Sequence, residues 1–140
     1  MDIKEAIKNR HSVRQYKAQP INGDDKAKLE NIISKCNEES GLHIQLVLDD
    51  PACFDTFLAH YGKFSNADNY IAIIGKKSIS DLEERGGYYG QKIVLEAQML
   101  GLNTCWGAAR PVDERSARTE TEWRRRHLWK RKMQGRHKIR

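Results

Sequence analysis

GGYYGQKIVLEAQMLGLNTCW, residues 86–106, predicts a buried helix followed closely by a short apolar strand. Apolar residues recur at helical spacing, and only Glu96 and Gln98 interrupt the apolar face. Gly101 suits the left-handed residue that ends a helix, and Asn-Thr-Cys-Trp then reads as a strand. The pattern indicates a central element of the fold, but apolar stripes more often form a core than a cofactor site, so it assigns no function by itself.

Two further helices are predicted before the first strand. Asp2 and Glu5 form a capping-box pattern for a helix that runs to about Arg10. A second helix is expected to be capped by Asp24, and Gly41 is expected to close the loop that follows it. The residues expected to face the core are Ile3, Ala6 and Ile7 in the first helix and Leu29, Ile32, Ile33 and Cys36 in the second.

Strand patterns follow the second helix. Residues 43–48 alternate as a strand with one better-buried face, and residues 70–74 are continuously apolar, which favours an inner strand. Residues 54–61 indicate a short helix, and Ser80 or Asp81 is expected to cap the long helix. Helices interleaved with strands predict either a three-layer α/β fold or an α+β sandwich.

Charge divides the chain after Trp106. Residues 1–106 carry 13 Lys and Arg against 15 Asp and Glu, whereas residues 107–140 carry 12 against 4, so the net charges are −2 and +8. We therefore expect a domain over residues 1–106 and a basic tail over residues 107–140. Two interpretations of the tail stay open: a disordered segment, or an out-of-frame reading of the gene.

The out-of-frame interpretation rests on residues 124–140, RRRHLWKRKMQGRHKIR. With permitted codons, a shift of one base can turn this segment into Gly-Gly-Val-Ile-Phe-Gly-Asn-Gly-Lys-Cys-Arg-Gly-Val-Thr-Lys-Ser. That reading regains an apolar strand followed by a glycine-rich loop.

Cysteine usage and hydropathy narrow the class of protein. The three cysteines are odd in number and far apart, which predicts reduced thiols in a cytoplasmic protein and no zinc or other metal site. No apolar run is long and uninterrupted enough for a leader or a spanning helix, so no membrane association is expected.

The opening IKEAIKNRHSVRQYKAQPI, together with GYYGQKIVLEAQMLGLNTCW, resembles the FMN-dependent nitroreductase family, most closely its subgroup with a GYYG helix start and a TCW strand. The resemblance covers residues 1–106. It implies an α+β fold with helices around a mostly antiparallel sheet, here incomplete at the C-terminus. It also implies FMN at a subunit interface, and hence a homodimer or a single chain that imitates one.

The resemblance further implies flavin contacts in the RHSVR segment, at Arg10, His11, Ser12 and Arg14. Guanidinium groups suit the phosphate and the carbonyl edge of FMN, while hydroxyl and imidazole groups add donors. Gly87 and Gly90 are further candidates, because glycines at a helix start let a flat ring approach unpaired N–H groups. A packing role for these glycines is an equal alternative.

The implied reaction moves hydride from NAD(P)H through FMN to a small electron-poor acceptor, so no catalytic side chain is assigned. Two other classes stay open: a non-catalytic flavin-binding remnant, and a protein that binds nucleic acid through the tail, with Trp123 and Trp129 for base stacking. The second is disfavoured, because no folded motif frames the tail charges.

Overall fold

The computed structural model describes residues 1–50, 66–108 and 128–134, which form three helices and a four-stranded sheet. The helices are α1 (Ile3–Asn9), α2 (Gly23–Ser40) and α3 (Leu82–Met99). The strands are β1 (His43–Val47), β2 (Tyr70–Ile74), β3 (Asn103–Ala108) and β4 (Leu128–Gln134). The helix predicted over residues 54–61 lies outside the described residues.

The sheet has the order β1-β2-β4-β3, and each neighbouring pair is antiparallel. The fold is therefore α+β with an antiparallel sheet, as expected from the resemblance. β4, the last of the described strands in sequence, is an inner strand, because Lys132 lies opposite Tyr70 of β2 and Cys105 of β3. Residues 128–134, which the sequence assigns to a basic tail, thus form part of the sheet in this structure.

The hydrophobic core lies between the sheet and helices α2 and α3. It is formed by Leu29, Ile33, Cys36, Leu42, Ile44, Ile71, Ile73, Ile93, Ala97 and Leu102. All five residues of β2 are buried, including Tyr70, Ala72 and Ile74 on the face opposite to Ile71 and Ile73. The prediction of an inner strand over residues 70–74 is confirmed.

Helix α1 has the predicted capping box. The carboxylate of Asp2 accepts from the Glu5 N–H at 2.9 Å, and the Glu5 carboxylate accepts from the Asp2 N–H at 3.2 Å. Only Ala6 is buried, whereas Ile3 and Ile7 are 54% and 58% exposed, so the prediction that both isoleucines face the core was wrong. This seven-residue helix lies on the outside of α3 and buries only its one small residue.

Helix α2 begins two residues earlier than predicted. Its cap is Asn22, whose side-chain oxygen accepts from the Asp25 N–H at 2.8 Å, and not Asp24. Gly23 is already helical, so the residue before it is the one whose side chain can reach the third helical N–H. At the other end, Gly41 adopts φ +69° and is the C-cap of the helix, where the sequence predicts only a loop.

Helix α3 also begins before the glycines of the GGYYG motif. Asp81 precedes its first turn, but the Asp81 carboxylate accepts from Nη2 of Arg85 at 2.8 Å and caps no backbone N–H. Arg85 also donates through Nη1 to the carbonyl of Ser40 at 2.7 Å, which ties the start of α3 to the end of α2. Gly101 follows α3 at φ +77°, as the sequence predicts.

Candidate functional site

The RHSVR segment leaves α1 and runs beside β3. Ser12 forms a parallel bridge with Thr104, and the Val13 N–H donates to the Thr104 carbonyl at 3.1 Å. β3 is the terminal strand of the four-stranded sheet in the described part of the chain, so its outer edge is open to this segment. The fold therefore brings together the two motifs, RHSVR and TCW, that lie about ninety residues apart in sequence.

Arg10 carries the strongest polar signal in this segment. It is the C-cap of α1, with its backbone N–H donating to the Ala6 carbonyl at 2.9 Å. Its Nη1 atom is buried and finds no hydrogen-bond partner among the described residues. A buried guanidinium N–H is costly unless an acceptor pairs with it. The arrangement thus suits an anionic or carbonyl oxygen at this position.

The next three candidate side chains, of His11, Ser12 and Arg14, are exposed. Nδ1 of His11 lies 3.0 Å from the Asn9 carbonyl oxygen, which can only accept, so Nδ1 carries the proton and Nε2 is left for another partner. Arg14 forms no ion pair with any described residue. Four of the six predicted contacts therefore lie in one continuous segment, in which Arg10, Ser12 and Arg14 can present donors to an anion.

The two glycine candidates have different surroundings. Because α3 starts at Leu82, Gly87 and Gly90 lie inside the helix, and the expectation that they mark its start was wrong. Unpaired N–H groups occur only in the first turn of a helix, and Gly87 and Gly90 lie after that turn. A Cβ at Gly90 would come within 2.6 Å of Ile73 and Trp106, whereas one at Gly87 would meet nothing within 4 Å. Close packing therefore explains the glycine at position 90, and this packing role is the alternative that the sequence left open.

Two further buried polar groups were not singled out from the sequence as ligand contacts. Thr104, the bridge partner of Ser12, has a buried hydroxyl without a hydrogen-bond partner among the described residues. The side-chain oxygen of Gln98 on α3 is also buried and has no hydrogen-bond partner among the described residues. The signal for Gln98 was its interruption of an apolar helix face, whereas a threonine in a strand carries no such signal.

The two described cysteines lie in the core. Cys36 and Cys105 are free and buried. Burial raises the pKa of the Cys36 thiol above its ordinary value, while the charge of Lys92 acts more weakly in the opposite direction. A buried thiol of raised pKa is a poor nucleophile, so Cys36 belongs to the packing and not to the chemistry.

Hydropathy of the helices adds one finding. Across residues 1–50, 66–108 and 128–134, no helix combines the length and the apolar character needed to cross a membrane.

Solved structures with the same fold include nitroreductases of several bacteria. A "Putative NADH dehydrogenase/NAD(P)H nitroreductase" from Parabacteroides distasonis ATCC 8503 is 18% identical, with a TM-score of 0.71 over 99% of this chain and 89% of that chain. An FMN-dependent nitroreductase from Clostridium difficile R20291 is 19% identical, with a TM-score of 0.69 over 96% and 88%. A nitroreductase with bound FMN from Bacteroides fragilis NCTC 9343 is 16% identical, with a TM-score of 0.67 over 98% and 89%. These likenesses establish the fold.

Sequence comparison identifies the family. No curated protein sequence matches the chain. The family model described as "Putative TM nitroreductase" matches residues 2–127, which extends the resemblance beyond the first 106 residues. With the α+β fold and the paired RHSVR and TCW segments, this match shows that the chain belongs to that nitroreductase family.

Proposed function

We propose that this chain binds FMN and acts as an NAD(P)H-dependent, nitroreductase-like oxidoreductase on a small electron-poor acceptor. The observation that carries the proposal is the buried Nη1 of Arg10, which has no partner among the described residues and lies one residue before the exposed His11, Ser12 and Arg14 side chains. A planar cation beside exposed donors suits a ligand with a phosphate and several carbonyl oxygens.

FMN fits the donors of this segment. Arg10 and Arg14 can each form paired, charge-assisted hydrogen bonds with phosphate or with the carbonyl edge of the ring. Ser12 adds a hydroxyl, whereas Nε2 of His11 is an acceptor in the neutral ring, because Nδ1 donates to the Asn9 carbonyl, and suits a ribityl hydroxyl of FMN. Thr104 offers a further buried hydroxyl at the bridge with Ser12. Gly90 is left out of this set, since Ile73 and Trp106 fill the space beside it.

When bound, FMN supplies the hydride chemistry, taking hydride from NAD(P)H and passing it to the acceptor. The side chains of the RHSVR segment bind and orient the cofactor and stabilise negative charge at its edge. No side chain of the chain needs to form a covalent bond.

The proposed location is the cytoplasm, which agrees with free, buried thiols at Cys36 and Cys105. The proposed assembly is a homodimer or a single chain that imitates one. It is supported by exposed apolar side chains on two helices that pack together: Ile3 and Ile7 share a face of α1, and Tyr88 of α3 is 62% exposed. Ile7→Glu should lower the mass observed by analytical ultracentrifugation if this surface joins two copies, and an unchanged mass would refute this interface.

The function is tested by titrating the purified full chain with FMN, followed by flavin fluorescence, with riboflavin as the matched ligand that lacks the phosphate. We expect saturable binding of FMN and weaker binding of riboflavin. Arg10→Gln should weaken FMN binding about tenfold to a hundredfold, because a hydrogen bond to a charged group contributes about 1.5–3 kcal/mol.

The outcomes separate the alternatives. No saturable FMN binding by the parent chain would refute the proposal. FMN binding without oxidation of NADH or NADPH, with menadione or nitrofurazone as acceptor, would identify a flavin-binding remnant. Equal binding of riboflavin and FMN would show that the RHSVR segment gains no affinity from the phosphate.

A further inference from the structure

Two hydrogen bonds hold the backbone just after Arg14. The Tyr16 hydroxyl donates to the carbonyl of Val13, and the Tyr16 carbonyl accepts from Nδ2 of Asn66 at 2.8 Å. Tyr16 itself is only 6% exposed. The phenol thus closes a short loop that contains Arg14 and Gln15, and Asn66 anchors the end of this loop.

The backbone before Arg14 is held as well. The Val13 N–H donates to the Thr104 carbonyl at 3.1 Å, and Ser12 bridges to Thr104. The Arg14 side chain, in contrast, is exposed and forms no ion pair with the described residues. The backbone on either side therefore fixes where the Arg14 side chain leaves the chain, although that side chain makes no ion pair of its own.

Asn66 has a backbone conformation that suits this anchoring role. It adopts φ +52°, a left-handed conformation that asparagine tolerates better than most residues. Among the described residues, the other non-glycine residue at positive φ is Asp49, at +55°. Asp49 uses its backbone N–H to bond Oδ1 of Asn69 and has no bond to Tyr16, so it provides a matched control.

We propose that Tyr16 is a positioning residue for Arg14, with Asn66 as its anchor, so that the backbone from which the Arg14 side chain reaches the anionic part of the ligand is ordered before binding. The proposal rests on the function proposed above, since the ligand is FMN. Fixing a loop before binding reduces the ordering entropy that binding costs. Removing the phenol hydroxyl should therefore weaken binding through Arg14 and through no other residue.

A double-mutant cycle tests this dependence. Tyr16→Phe should weaken FMN binding about threefold to tenfold, the effect expected from losing one neutral hydrogen bond. In the Arg14→Ala background the same substitution should change FMN affinity less than twofold. Equal effects in both backgrounds would overturn the proposal, because residues that act independently are additive.

A second pair of variants tests the anchor. Asn66→Gly keeps the left-handed backbone accessible and removes the amide, so it should weaken FMN binding in the same Arg14-dependent way. Asp49→Gly makes the same kind of change without touching Tyr16 and should leave FMN affinity within twofold of the parent. Equal losses in both variants would assign the effect to the loops in general and overturn the role of Asn66.

A measurement without cofactor separates this inference from the proposed function. In the ligand-free chain, Tyr16→Phe should lower the ¹⁵N order parameters of the Arg14 and Gln15 amides and leave those of α2 unchanged. Unchanged order at residues 14 and 15 would overturn the positioning role even if FMN binds. Lowered order in a chain that never binds FMN would instead refute the proposed function, and the role toward FMN with it.

Discussion

Arg10 and Arg14 are four residues apart and belong to one segment, but the fold holds them differently. Nη1 of Arg10 is buried and lacks a partner among the described residues, whereas the Arg14 side chain is exposed. Arginine is plentiful in the chain, since the basic tail alone carries nine. What distinguishes these two is that they flank Ser12 and Val13, which contact Thr104 of β3. Single substitutions therefore measure whether the position of each arginine, and not its charge alone, contributes to FMN binding.

Arg14→Ala should weaken FMN binding about tenfold to a hundredfold, since a charge-assisted hydrogen bond contributes about 1.5–3 kcal/mol. Its thermal unfolding without cofactor should hardly change, because the side chain is exposed. The matched control is Lys17→Ala, which removes an exposed cation three residues away. If the two variants bind FMN equally, only the general charge of the segment contributes.

Gly87 and Gly90 give a second matched pair on α3. Gly90→Ala should lower the free energy of unfolding by about 1–3 kcal/mol, because its Cβ would come within 2.6 Å of Ile73 and Trp106. Gly87→Ala should raise it by roughly 0.5–1 kcal/mol, since the site is open and alanine favours a helix. Urea unfolding of both variants measures the difference. A neutral Gly90→Ala would show that this contact is looser than the packing suggests.

Among the elements, α2 does more than cover the sheet. Asn37 donates through Nδ2 to the Ile44 carbonyl at 3.0 Å, and its Oδ1 accepts from the Ile44 N–H at 2.7 Å. β1 lies at one end of the sheet order, so these two groups of Ile44 lie on the side of β1 away from β2. One helix side chain thus satisfies both polar groups of a strand residue that the sheet leaves unpaired.

Asn37→Ala should destabilise the protein by about 1–3 kcal/mol, because it leaves two backbone groups of Ile44 without their partner. Asn31→Ala makes the same substitution at an exposed position of the same helix and should be neutral or slightly stabilising. Chemical denaturation compares them. Equal unfolding free energies for the two variants would mean that water replaces the Asn37 amide without cost.

At the scale of the whole molecule, the charge of the chain predicts a separate basic tail, whereas the strand order places part of that tail inside the sheet. The basic net charge comes from residues 107–140, whereas residues 1–106 are slightly acidic. β4 nevertheless lies between β2 and β3. Its sequence, LWKRKMQ, has three basic residues in seven, although it pairs with the wholly apolar strand YIAII. An inner strand beside such a neighbour is normally apolar itself.

The pairing of β4 predicts slow amide exchange over residues 128–134, whereas composition alone predicts fast exchange throughout residues 111–140. Hydrogen exchange followed by mass spectrometry decides between the two, with β2 as the protected internal reference. Fast exchange in residues 128–134 beside a protected β2 would mean that the sheet is stable without this strand.

The out-of-frame interpretation makes a prediction about the gene. Shifting residues 124–140 by one base reads Gly-Gly-Val-Ile-Phe over the residues that lead into β4, an apolar run suited to an inner strand. We expect the nucleotide sequence to contain such a frame and that frame to continue the family resemblance. A gene without any alternative frame that does so would exclude this interpretation.

Local patterns in the sequence determined the helices, the inner strand and the left-handed glycine after α3, because helix periodicity, continuous apolar runs and left-handed residues are properties of neighbouring residues. The burial of Tyr70–Ile74 and the positive φ of Gly101 are examples. Such patterns also located the RHSVR segment, through its resemblance. They failed where exposure depends on a distant partner, as at Ile3 and Ile7, which stay exposed although their helix contacts α3 and buries Ala6.

The tertiary structure alone decided which groups meet. It placed RHSVR against Thr104, set Gly90 against Ile73 and Trp106, left Nη1 of Arg10 buried without a partner among the described residues, and inserted β4 between β2 and β3. These are relations between residues far apart in the chain. They depend on how the helices and strands pack, and no local pattern of residue types encodes them.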